Sequence, residues 1–409
     1  MSATDLQPGA GELVRDADRH AIEAELAGLR AQDRFRQRPL IDGPDGRVID
    51  WCGAGGRRRL LNWGSNDYLG ALREIRHRNA ASKALRHYGT GAGAARLLAG
   101  GLRLYRRFEQ RLAAWLERDD CLLTTTGYQA NLAVWTSLAG RHDHIVLDRL
   151  CHASSYDGAR LSGARLQRFT HNDVADLDRR LAALAEPGGR VLVGVESVYS
   201  MDGDEAPLAA IAACCERHGA WLVVDEAHAF GVLGPAGRGA CAAAAVTPDV
   251  WIATASKALG AQGGLIVADQ AVVDLLVNRG RSFIFSTAPT PAAIGAADAA
   301  LQSLQRFGPE WTEALREQAT AIRDGLHQQG WLVPAGRTPI IPVLLGADAA
   351  ALATAETLRR HGHYIPAVRP PTVPPGSARL RLTVTRAHRP ADCRSLLRAF
   401  AESGLAQEG

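Results

Sequence analysis

The stretch "AWLVVDEAH", residues 220–228, is a short unbroken apolar run that ends in two acids and a histidine. A run of that length without alternation fits a strand buried on both faces, the kind found in parallel sheets covered by helices. The same texture repeats outward from it. "CLLTTT" (121–126), "HIVLD" (144–148), "RVLVGVES" (190–197), "VWIATAS" (250–256) and "GGLIVAD" (263–269) are further strand candidates, most of them separated by helical stretches such as 207–218. This alternation predicts an α/β fold on a large, mainly parallel sheet.

Beyond "FIFSTAPTPA" (283–292) a long helical region leads to a different texture, with strand-like "TPIIPVLLG" and "ARLRLTVT" around helix-like "AALATAETLRRHG". In "ARLRLTVT", Arg379, Arg381, Thr383 and Thr385 alternate with Leu380, Leu382 and Val384, so one face of that strand is polar. The expected division is an N-terminal helical arm over 1–60, a large domain over 61–294 and a smaller C-terminal α+β domain over 295–409. Within the arm, an amphipathic Arg-rich helix is expected over 14–38, and "GPDGR" (43–47) is turn chemistry.

Composition excludes several classes. Of 409 residues, 46% are hydrophobic and 22% charged, an ordinary globular balance. The net charge of +4 comes without a basic stripe interleaved with aromatics, so nucleic acid is not an expected partner and small anions are. The seven cysteines form no C-x-x-C pair and read as free thiols in a reducing compartment. No signal pattern opens the chain, and no apolar run approaches the roughly 18 residues of a membrane span. The expectation is a cytoplasmic protein that does not engage a membrane.

Of the 47 Lys and Arg residues, only Lys83 and Lys257 are lysine. Arginine serves solubility equally well, but only an amine can lose its proton and attack a carbonyl. Lys257 directly follows a strand candidate, and ligands in α/β sheets gather at the carboxyl ends of strands. Thr254 and Ser256 share the strand end of Lys257, and Glu196 and Ser200, Asp225 and His228, Gly127 and Tyr128, and Asp148 and His152 fall at the ends of other strands. A lysine for an aldehyde, an aspartate for a pyridine nitrogen and the strand–glycine–helix order of "TTTGYQAN" for a phosphate together point to pyridoxal 5'-phosphate (PLP). Each feature alone has a plainer reading. A lone lysine is usually solvated, His152 and His228 could be structural, and "DEAH" also marks nucleotide hydrolases. No G-x-x-x-x-G-K-[ST] loop accompanies it here.

Several motifs together resemble the α-oxoamine synthases, PLP-dependent acyltransferases of fold type I. They are "NWGSNDYLG" (62–70), "DRLCHAS" (148–154), "HND" (171–173), "SVYSMDGDEAPL" (197–208), "VVDEAH", "TASKALG" (254–260) and "FSTAP" (285–289). The resemblance covers about residues 60 to 400, and "RPPTVPPGSARLRLTVTRAH" (369–388) is most similar to the branch that makes 8-amino-7-oxononanoate for biotin. It implies decarboxylative condensation of L-alanine with a pimeloyl thioester, carried by coenzyme A or an acyl carrier protein, in a homodimer with shared active sites. By position, it makes Lys257 the amine that holds the cofactor and moves the Cα proton, Asp225 the partner of the pyridine nitrogen and His152 the residue stacked on the ring. His228, with Ser200 nearby, would meet the phenolic oxygen. Gly127, Tyr128 and Thr254 would meet the phosphate, joined by Thr287 of the neighbouring subunit. Arg381 would bind the amino-acid carboxylate with Asn66 near it, while Thr372 and Arg36 line the acyl entrance.

The chain also departs from the family. "GTGAGAAR" (89–96) replaces a serine-bearing loop, Tyr105 stands where histidine is common, and "AFG" (229–231) places Phe230 close to the expected cofactor. These changes bear on the acyl substrate and leave cofactor and reaction type untouched. A sister synthase with another amino acid or acyl chain is the nearest alternative, then a fold-type I aminotransferase. An inactive partner subunit is disfavoured because Lys257 is present.

Overall fold

The apolar runs of the sequence become strands, and their ends converge. The computed structural model describes residues 15–43, 46–53, 56–184 and 188–403. Leu40–Asp42 (β1), Val48–Gly53 (β2) and Gly56–Asn62 (β3) come first. Asp120–Thr124 (β4), His144–Asp148 (β5), Arg165–Phe169 (β6), Val191–Glu196 (β7), Trp221–Asp225 (β8), Val250–Thr254 (β9) and Gly264–Ala268 (β10) follow. These seven form one sheet in the order β4-β10-β9-β8-β7-β5-β6. From β9 to β6 all neighbours are parallel, whereas β10 is antiparallel to both β9 and β4. Every residue of β4, β5, β7, β9 and β10 is buried, which explains their continuous apolar pattern. The edge strand β6 instead exposes Arg165 and Arg168, charges that discourage further pairing.

Parallel alignment brings the carboxyl ends of β5, β7, β8 and β9 to one edge of the sheet. The reversed β10 delivers its amino end to the same edge, where the Gly263 carbonyl accepts the Thr254 hydroxyl at 2.8 Å. Helix Gly127–Leu138 starts there too, capped by the Thr126 hydroxyl, which accepts from the Gln129 N–H at 3.2 Å.

Ile340–Gly346 (β11), His363–Tyr364 (β12), Ala367–Val368 (β13) and Ala378–Thr383 (β14) complete the strands. β11, β14 and β13 make an antiparallel three-stranded sheet carrying helices Asp348–Arg360 and Pro390–Glu402. Its polar face does not meet water. Arg379 and Arg381 are only 5% and 6% exposed, because that face packs on the loops after β7 and β3. The segment expected as a helical arm is helical over Asp16–Ala31, shorter than the 14–38 read from periodicity; β1, β2 and β3 then form a sheet with β12. Helix Pro291–Gln328 runs unbroken through residue 295, so that expected boundary falls inside an element. The turn expected over 43–47 lies partly outside the described residues.

Gly194 in β7 fixes how closely helix Gly127–Leu138 lies on the sheet. A Cβ there would come 2.5 Å from Leu147 and 2.6 Å from the Trp135 ring. Overpacking of this kind costs about 1–3 kcal/mol. Gly194→Ala is therefore expected to lower the unfolding free energy by that amount, seen as a lower urea midpoint by circular dichroism; an unchanged midpoint would mean that the helix is free to move away.

Candidate active site

At the convergent strand ends a cavity of about 240 Å³ is lined by the loop after β4 and the loops after β5, β7, β8 and β9. Gly127, Tyr128, His152, Asp225, His228, Thr254 and Lys257, each singled out in the sequence, all line it. Lys257 Nζ lies 2.7 Å from His228 Nε2, and His228 Nδ1 lies 2.6 Å from the Tyr68 hydroxyl. Burial strips water from the Lys257 ammonium and pulls its pKa below the ordinary lysine value; Arg381 adds to this, while Asp225 and Glu196 oppose it. His228 is pushed well below the usual histidine value by burial and then by Lys257, so its ring is neutral. His152, which caps helix Ala153–Ser162, holds the Ser154 hydroxyl at 2.7 Å and is likewise lowered by burial.

Asp225 is fixed from two sides. Asn131 Nδ2 donates to Oδ2 at 2.9 Å, and the Ala227 N–H donates to Oδ1 at 2.9 Å. Asn131 in turn accepts from the Ser155 hydroxyl at 3.0 Å. Neither Asn131 nor Tyr68 was singled out from sequence. A signal existed for both: Asn131 lies four residues after Gly127 on the same helical face, and Tyr68 sits inside "NDYLG". Glu196 also lines the cavity, fully buried, with Oε1 lacking a hydrogen-bond partner. Burial and the neighbouring Asp225 raise its pKa, so it is the acid that keeps its proton.

The remaining expected residues lie outside this cavity's lining. Arg381 Nε donates to the Ser200 carbonyl, and Nη1 donates to Asn66 Oδ1 at 3.1 Å and Thr383 Oγ1 at 2.9 Å. Its Nη2 is buried with no hydrogen-bond partner. Ser200 lines a second, larger cavity of about 1180 Å³ instead of the one at Lys257. Arg36 and Thr372 line that larger cavity as well and meet each other at 2.9 Å across 336 residues of chain. His152 belongs to both cavities and marks where they join. Thr287 lies apart; its carbonyl accepts from the Thr125 hydroxyl at 2.9 Å, in a small recess with Arg96 and Ser286. Phe230 is not near the cavity. It is 1% exposed in the core, edge-on to Trp251 and Trp115.

The donor set fits PLP group by group. Helix Gly127–Leu138 offers its amino end, with Thr254 and Ser256 beside it, to a phosphate. A firmly held carboxylate, two imidazoles and a buried amine complete the set for a pyridinium, its ring and its aldehyde. Elsewhere, Asp178, Cys214 and His218 form a cluster of metal-ligand type. The Asp178 oxygen there already takes Arg217 at 2.7 Å and His218 at 3.0 Å, so a guanidinium holds the place a cation would need. Among the described residues, no helix is long and apolar enough to cross a membrane.

A family model for aminotransferase class I and II matches residues 58–400. The chain is 44% identical over 382 residues to the 8-amino-7-oxononanoate synthase of Anaeromyxobacter dehalogenans, covering 93% of this chain and 94% of that one. It is 40% identical over 393 residues to the enzyme of the same name from Marinobacter nauticus, covering 95% and 96%. Among solved structures, a serine palmitoyltransferase from S. paucimobilis with bound PLP–myriocin is similar at a TM-score of 0.89 and 30% identity, covering 95% and 98%. The chain belongs to the aminotransferase class I and II family and, within it, to the PLP-dependent acyltransferases of the α-oxoamine synthase group.

Proposed function

We propose that the protein condenses L-alanine with a pimeloyl thioester, with loss of carbon dioxide, to give 8-amino-7-oxononanoate for biotin synthesis. The observation that carries this reading is Arg381, whose unpartnered buried Nη2 lies beside Asn66 next to a cavity containing the only lysine at a strand end. A fixed guanidinium fork suits a carboxylate, so an α-amino acid is the substrate class it selects. The relatives' shared name supports the biotin branch.

Bound PLP supplies an electron sink for the charge that develops at the substrate's α-carbon. Asp225, held by Asn131 and Ala227, would keep the ring nitrogen protonated, and His152 would cover the ring. Lys257 would hold the aldehyde and, once released, take and return the Cα proton; its pKa, lowered to about 8, brings both protonation states within reach near neutral pH. His228 would meet the phenolic oxygen. The larger cavity is walled by Leu26, Leu29, Phe35, Met201 and Val373 with Arg34, Arg36 and Arg149 among them. That pairing of apolar wall and cations suits an acyl chain on an anionic carrier, coenzyme A or acyl carrier protein. Thr287, remote from the cavity of its own chain, is assigned to the phosphate site of a second copy, which makes the active unit a homodimer.

The direct test is product formation from L-alanine and pimeloyl thioester, followed by mass spectrometry and carbon dioxide release. Turnover of L-serine with a long-chain thioester but not of alanine would move the protein to the serine palmitoyltransferase side of the group. Lys257→Ala is expected to cut turnover roughly 10²- to 10⁴-fold. Arg381→Ala is expected to raise the amino-acid KM about 10- to 100-fold, the size of a lost charged hydrogen bond, with the thioester KM unchanged. Sedimentation should give a two-chain species; a monomer that binds PLP at full strength, or a Thr287→Ala variant with undiminished PLP affinity, overturns the shared-site assignment.

A further inference from the structure

The site's two walls are carried by two loops that do not touch the cofactor cavity along most of their length. One runs from Asp148 to His152; the other, residues 199–205, presents the Ser200 carbonyl to Arg381 and Asp202 to Arg379. Between them stands His171. Its Nδ1 lies 3.0 and 3.2 Å from the two oxygens of Asp148, and its Nε2 lies 2.7 Å from Asp204 Oδ2. Ionised carboxylates only accept hydrogen bonds, so a ring that meets one at each nitrogen carries a proton on both. His171 is therefore an imidazolium, half-buried, between two acids.

The surroundings leave it little freedom. Asn172, in the left-handed region at φ 55°, donates its backbone N–H to Asp148 at 2.9 Å and its side-chain amide to Asp204 at 2.8 Å. The Tyr199 ring stands edge-on at 4.4 Å. Glu205, the remaining acid of the second loop, is turned away to Arg337 at 2.7 Å. Asp148 is fully buried and also accepts the Leu150 N–H at 2.8 Å, while its carbonyl accepts the Tyr156 hydroxyl at 2.9 Å. The Asp204 carbonyl accepts the Tyr199 N–H at 3.0 Å. Asp148 thus ties its loop through its side chain and Asp204 through its main-chain carbonyl, and both present carboxylate oxygens to the same ring.

We propose that His171 is a positioning residue: a cationic clamp that sets the spacing between the loop ending in His152 and the loop anchoring Arg381. The inference rests on the roles assigned to those two residues under the proposed function. Opening the clamp frees the Ser200 carbonyl to drift, and Arg381 loses the anchor that aims its fork; Arg149 and Met201, on the same two loops, line the larger cavity and move with them, whereas Arg36 and Thr372 are on neither loop. Burial opposes the charge on the ring, yet the bonds to Asp148 and Asp204 outweigh it and raise its pKa to about 9. A raised pKa means that the clamp is whole at neutral pH and is lost as pH rises through about 9.

The test combines a titration with a KM split, on the PLP-loaded enzyme. In protein carrying ¹³C-labelled histidine, the ring signal that disappears in His171→Gln is expected to titrate far above the ordinary histidine range, and in Asp204→Asn to shift down by at least about one unit. Both variants are expected to raise the amino-acid KM about tenfold, with a smaller rise in the thioester KM from the two loops' share of the larger cavity. The ratio of wild-type to His171→Gln amino-acid KM should lose its difference above pH 9. Should His171→Gln fail to fold, Asp204→Asn carries both readouts. A His171 ring titrating near an ordinary histidine value, or variants with an unchanged amino-acid KM, overturns the clamp. The titration needs no substrate and the KM is taken with whichever amino acid the wild type turns over, so failure on alanine alone would count against the proposed function and not against His171.

Discussion

Register between β7 and β8 sets Glu196 directly beside Asp225, so two carboxylates share one level of a buried parallel sheet. Like charges at that spacing in a poor dielectric do not both stay ionised without help. The structure resolves this unequally. Asp225 accepts from Asn131 and Ala227, while Glu196 keeps one oxygen without any partner. The acid whose two oxygens are both held is the one placed to face a cation, and burial beside it favours the proton on Glu196. Lys257 then enters the same cluster as the nearest positive charge, and its position between acids and Arg381 explains why its amine is tuned in both directions at once.

Much of this was legible in the sequence. Strands buried on both faces leave continuous apolar runs, and the residue types that follow them are the ones the parallel edge collects. Nine of the singled-out residues, Glu196 and Ser256 among them, line one cavity for that reason. Phe230 shows where such reading stops. Residues 226–230 make a helical turn, with the Phe230 N–H bonded to the Glu226 carbonyl at 2.8 Å, so Phe230 shares the buried side of Glu226 and faces away from His228. Sequence distance from a strand end does not reveal which way a turn aims its side chains. Ser200 missed the Lys257 cavity for a related reason: its contribution is a backbone carbonyl, which any residue could supply.

The polar face of β14 was visible as alternation, but its burial was not. Alternation says that one face differs from the other; it does not say whether water or another domain covers the polar one. Here the loops after β7 and β3 cover it, and the arginines that look like a solvated stripe are among the least exposed charges of the described residues. The strands of the N-terminal segment were hidden differently. β3 carries Arg57, Arg58 and Arg59 in succession, which breaks the apolar pattern expected of a strand; Arg57 and Arg58 lean on Asp50 and on the carbonyls of residues 359 and 360 instead.

The 2.9 Å contact between Arg36 and Thr372 joins the two ends of the polypeptide at one cavity. Arg381, held by Asn66 and the Ser200 carbonyl, belongs to the same late segment. During synthesis domains tend to fold from the amino end as they emerge. The large sheet and Lys257 would be complete while the last part of the chain was still inside the ribosome. A nascent molecule at that stage would already hold the lysine, the aspartate and the helix start of the smaller cavity but neither Thr372 nor Arg381, so the smaller cavity can form before the residues beside it arrive.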